Sequence, residues 1–96
     1  MIGRFCIIRT YSAGVHAGVV VEAQPNPGGT WSVKCAPRCR IWQWANSFTL
    51  DAVANHGVED GSRLSEDVEE GWLTQVIEVI PCTEKAENSI RRFRRG

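Results

Sequence analysis

The segment Trp72-Leu73-Thr74-Gln75-Val76-Ile77-Glu78-Val79-Ile80 carries apolar side chains at odd and even positions alike, so as an extended strand it has two faces to bury. A strand of this kind belongs inside a sheet, with a neighbour on each side. Pro81 ends it, because proline cannot donate to a ladder, and Thr83 stands where the cap of a helix beginning at Glu84 is expected.

The rest of the chain supplies the partners. Residues 4–10 and 15–23 are rich in Val, Ile and Phe, and Tyr11-Ser12-Ala13-Gly14 between them is suited to a tight reversal, which predicts a hairpin. Pro25-Asn26-Pro27-Gly28-Gly29 marks a second break. A third strand is expected over about 31–44, bulged, interrupted or on an edge near Pro37. The run 47–57 reads as a short helix capped by Ser47 or Thr49 and stopped at Gly57. Residues 58–70, with Glu59, Asp60, Glu66, Asp67, Glu69 and Glu70, read as an acidic loop holding at most one short strand. The expected fold is α+β: a curved antiparallel sheet of four or five strands with one short crossing helix and a C-terminal helix. At 96 residues the chain has room for a single domain, 1–96, with 91–96 as a frayed basic tail.

Eleven basic and eleven acidic residues cancel, so the global basic excess of a general nucleic-acid or membrane-surface binder is missing. The opening Met1-Ile2-Gly3-Arg4-Phe5-Cys6 has no charged leader followed by an apolar run, and no later segment approaches the ~20 apolar residues that span a bilayer. The expectation is a cytosolic protein whose four cysteines are free thiols rather than a disulfide framework. Cys35 and Cys39 have a C-x3-C spacing compatible with zinc, but no second close pair completes a tetrad, so no metal and no cofactor is expected. No Ser, Cys or Thr sits in a recognised catalytic setting, and the expectation is a binding protein rather than an enzyme.

Two constellations are candidates for binding. On the third strand, alternation places Arg38, Arg40, Trp42 and Trp44 on one face; guanidinium forks match phosphate oxygens and indoles stack on bases. The same pattern also fits core tryptophans flanked by arginines that snorkel at a sheet edge, and the residues leave both readings open. At the hairpin turn, Arg9, Thr10, Tyr11, Ser12 and His16 surround Gly14, where hydroxyls and backbone N–H groups can hold an anion. Ordinary turn chemistry is the alternative there.

Arg9-Thr10-Tyr11-Ser12-Ala13-Gly14-Val15-His16, Arg40-Ile41-Trp42-Gln43-Trp44 and Leu73-Thr74-Gln75-Val76-Ile77-Glu78-Val79-Ile80-Pro81-Cys82-Thr83 together resemble a family of small uncharacterised proteins of tailed phages and prophages. The resemblance covers about Arg4 to Ile90 and implies a viral accessory protein acting in the host cytosol. The function expected is capture of a small anionic nucleotide-type immune signal through Arg9, Tyr11, Ser12, His16, Arg38, Arg40, Trp42 and Trp44, with a homo-oligomer as the working form. The alternative is a protein–protein inhibitor of a host defence factor, or a virion accessory protein, whose tryptophans dock on a polypeptide.

Overall fold

The computed structural model describes residues 2–45 and 49–93. Strand β1 (Phe5–Thr10) turns back into β2 (Val15–Pro25), and β3 (Trp31–Gln43) follows the Pro25–Gly29 break. Helix α1 (Leu50–His56), the two-residue β4 (Arg63–Leu64), β5 (Gly71–Pro81) and α2 (Glu84–Arg92) complete the chain. All pairings are antiparallel. β5 lies between β1, from Cys6↔Pro81 to Thr10↔Val76, and β3, from Trp31↔Val76 to Cys35↔Gly71, inside the sheet as expected, but only one of its two apolar faces is covered: Leu73 and Val76 are buried while Trp72 and Ile77 stand exposed. The expected curved sheet goes one step further. β2 also pairs with β3 from Val15↔Ile41 to Pro25↔Trp31, so β1, β2, β3 and β5 close into a small barrel, and β4 hangs on the end of β3.

Strand alternation divides the interior in two. Cys6 and Ile8 of β1 point into the barrel with Val20, Val33, Cys35, Leu73 and Val76. Phe5 and Ile7 point outward to the helices and pack with Ala17, Ile41, Val53, Ala86 and Ile90. Ile7 and Ile8 are both fully buried, each worth roughly 1.5–3 kcal/mol of hydrophobic stabilisation.

β3 runs unbroken through Pro37 but is bulged there. Gly18 faces Arg38 and Val20 faces Cys35, so two steps along β2 are matched by three along β3. The extra residue turns the strand over. Cys35 therefore lies inside the barrel and Cys39 in the helix-side core, although four residues of regular strand would leave them on the same face. Gly18 sits against this bulge, and a Cβ there would collide with the Pro37 carbonyl oxygen.

The helices are set by local signals. Thr49 Oγ1 accepts from the Ala52 N–H at 3.2 Å to start α1, while Ser47, the other candidate cap, lies outside the described residues. Gly57 ends α1 at φ +88°, where a Cβ would also strike the Ser89 side chain of α2. Thr83 caps α2 by accepting from the Ala86 N–H at 3.1 Å, and its hydroxyl donates to the Asn55 carbonyl at 2.7 Å, which ties the helices together. Arg91 and Arg92, expected in a frayed tail, belong to α2. Arg91 pairs with Glu87 at 2.8 Å and lies 5.0 Å over the Phe5 ring; residues 94–96 lie outside the described residues. Among the described residues no helix is long and apolar enough to cross a membrane.

Candidate functional site

The β1–β2 turn is held by its own first residue. The Thr10 hydroxyl donates to the Gly14 carbonyl at 2.7 Å and accepts from the Ala13 N–H at 2.9 Å, and Gly14 takes φ +88° to complete the reversal. The turn is also pinned to β5: the Tyr11 N–H donates to the Gln75 carbonyl at 2.9 Å, and the Ser12 hydroxyl to Gln75 Oε1 at 3.3 Å.

β2 leaves this turn beside the far end of β3, with Val15 opposite Ile41 and His16 opposite Arg40. A groove of about 390 Å³ results, lined by residues 12–15 of the turn and by Arg40, Ile41, Trp42 and Trp44. The Arg40 guanidinium lies 4.9 Å from the centre of the Trp42 ring, a cation–π contact, and no carboxylate among the described residues forms a salt bridge with it. Its backbone is fixed by Ser65, whose Oγ accepts the Arg40 N–H at 2.8 Å and whose own N–H donates to the Arg40 carbonyl at 2.8 Å. Trp42 is 64% exposed. Trp44, beyond the end of β3, is half-buried and packs against the helix-side core while still lining the groove.

The candidate residues thus separate. Ser12, Arg40, Trp42 and Trp44 meet in the groove, although Trp44 leaves the face it was expected to share. Arg9 does not join them: it lies on β1, pairs with Glu78 of β5 at 3.5 Å, and lines no part of the groove. Tyr11 projects into solvent at 76% exposure beside the groove rather than in it. His16 and Arg38 point inward, to each other. Arg38 Nη1 donates to His16 Nδ1 at 2.9 Å, and His16 Nε2–H donates to the Ala13 carbonyl at 2.9 Å. An arginine only donates and a carbonyl only accepts, so the ring is the neutral tautomer protonated at Nε2, with both nitrogens used. Burial is the main cause that lowers the His16 pKa to about 4; the Ala13 bond opposes it, and the charges of Arg38 and Arg40 add to it. Arg38 Nε is buried with no partner among the described residues and sits over Gly71, where a Cβ would crowd it. Neither the His16 nor the Arg38 side chain lines the groove. The bulge at residues 36–37 is what turned Arg38 inward, and strand alternation alone gives no sign of it.

Val15 and Ile41 were missed as groove residues. They are ordinary strand residues in the sequence, and only the β2–β3 register makes them neighbours.

Cys6 and Cys35 share the inner core, but Cys39 does not join them. The bulge sends Cys35 and Cys39 to different cores, and among the described residues no group of three or more His, Cys, Asp or Glu side chains is placed to hold a metal. Burial pushes the Cys35 and Cys82 thiols up to about 12 and raises Cys6 as well. At pH 8 a thiol reagent should modify Cys35 and Cys82 in the folded protein at least about a thousandfold more slowly than in urea, since three units of pKa remove about that much thiolate. Mass spectrometry of alkylated protein checks this, and rapid native labelling of either residue would contradict it.

Residues 3–90 match the profile of a protein family described as a domain of unknown function, DUF6948. The chain belongs to that family. Comparison with curated proteins and with solved structures gave no match. The DUF6948 match spans both sides of the groove, the turn at residues 12–15 and the β3 end at residues 40–44, within one family domain.

Proposed function

We propose that this protein is a non-enzymatic binding module whose groove captures a small anionic, base-containing ligand of the nucleotide type. The observation that carries the reading is Arg40, stacked on Trp42 at a groove that also presents a serine hydroxyl and a glycine turn, without a carboxylate partner among the described residues. Stacking holds the guanidinium plane and leaves its N–H edges for phosphate oxygens, while indole faces take the base. The viral setting implied by the resemblance, with the ligand a host immune signal held out of circulation, is part of the same proposal. So is self-association, in which the acidic segment 59–70 meets basic side chains of a second copy. Light scattering that reports a monomer at low and moderate salt would remove that last element.

A second reading has one observation in its favour. Trp42 at 64% exposure and Tyr11 at 76% stand close to one turn, as a polypeptide-docking surface would have them. Calorimetric titration with linear and cyclic nucleotides separates the two. The wild type is expected to bind a member of the panel, and Arg40→Ala to bind it about 10- to 100-fold more weakly, the loss of a charge-assisted bond of roughly 1.5–3 kcal/mol. The melting temperature of Arg40→Ala should stay within about 2–3 °C of wild type, because Arg40 is only partly buried and has no salt-bridge partner among the described residues, so its charge contributes little to folding. No binding across the panel would favour the protein-docking reading.

A further inference from the structure

A second concavity shares no lining residue with the Arg40 groove. Between the N-terminal segment, β2, the start of β3 and the middle of β5 lies a cavity of about 510 Å³. Its floor is the inner core itself, Val20, Val33 and Val76, each no more than 2% exposed. Ile2, Trp31 and Ile77 stand at its rim, exposed by 62%, 47% and 47%. Large apolar side chains in water around a concave apolar floor mark a surface that is more stable when something covers it.

The lining states what that occupant is. Among the described residues that line it, the one ionisable side chain is Glu78, whose carboxylate faces the Arg9 guanidinium at 3.5 Å, so these side chains present no uncompensated charge. An ion entering it would lose hydration and gain no counter-charge. The volume falls within the roughly 300–1,000 Å³ usual for small-molecule pockets. We propose that this cavity is a second binding site, independent of the groove, for a small uncharged molecule that is mostly hydrocarbon.

Ala23 provides the test. It stands opposite Val33 in the β2–β3 register and therefore faces the cavity, yet is itself exposed, so a larger side chain there fills the opening without entering the core. The probe is N-phenyl-1-naphthylamine, uncharged and fluorescent in apolar surroundings. Titrated onto the full chain, it is expected to bind saturably at one molecule per chain, with energy transfer from Trp31 that Trp31→Phe reduces. Ala23→Trp should weaken binding at least tenfold, and Arg40→Ala should change it less than twofold. If Ala23→Trp does not fold, Ile77→Gln, altered at an exposed rim position, should show the same loss. Unsaturable binding, or binding unchanged in the plugged or rim variant, would overturn the proposal. So would light scattering showing a dimer that Ala23→Trp splits, since a second copy would then be the natural cover.

Discussion

Replacing Gly18 with valine is expected to destabilise the fold by about 3 kcal/mol or more, the upper end of what overpacking costs in a closed interior. The added Cβ meets the Pro37 carbonyl oxygen, with Cys35 Cβ at 3.1 Å and Arg38 Cα at 3.2 Å behind it. Two of these atoms are backbone of the bulge, so relief requires β3 to move relative to β2. That movement would also disturb Arg38 and its bond to His16. Chemical denaturation followed by tryptophan fluorescence checks the prediction. A valine variant within about 0.5 kcal/mol of wild type would mean that β2 and β3 do not approach as closely at the bulge as described.

The second large effect is a loss of stability on mild acidification. His16 has a folded-state pKa of about 4 against an ordinary value near 6.5, so between these limits the unfolded chain binds more protons than the folded one. Stability linked to this group is fully present above pH 6.5 and is lost as pH falls toward 4. Two and a half units correspond to about 3 kcal/mol, a sizeable part of the stability of a small domain. Protonating Nδ1 removes the acceptor for Arg38 and places a third positive charge beside Arg38 and Arg40. Denaturation curves at half-unit steps from pH 7.5 to 5 should fall steeply below 6.5 in the wild type and be flatter in His16→Gln. A flat wild-type profile, or an equal slope in the variant, would contradict the buried neutral imidazole.

The sequence made the elements legible wherever a local signal decides them. Thr49 and Thr83 cap helices because their hydroxyls reach an N–H three residues on, and Gly57 stops α1 because only glycine readily takes its φ. β5 was expected inside the sheet from its two apolar faces. What was not legible depends on register. Nothing local says that β2 reaches far enough along β3 to close a barrel, or that the Pro37 bulge turns Arg38 inward and separates Cys35 from Cys39. The same gap explains the candidate site. Arg40 and Trp42, beyond the bulge, alternate as expected and meet the turn; Arg9 and His16 have the right chemistry near the right glycine, but one is paired with Glu78 and the other is buried. The cavity beneath Trp31 combines residues from three strands and the N-terminal segment, a conjunction that appears only once the barrel is closed.

The central claim is that the groove, rather than any other surface, receives an anionic base-containing ligand. Nuclear magnetic resonance on ¹⁵N-labelled protein tests it most directly, because it reports location and binding together. On addition of the nucleotide bound most tightly in calorimetry, the account predicts shifts concentrated at the amides of Ser12 to Val15 and Arg40 to Gln43 and at the Trp42 and Trp44 indoles. Trp31 and Trp72 should be unmoved. Shifts centred on Trp31, or no shifts with any nucleotide at millimolar concentration, would contradict it.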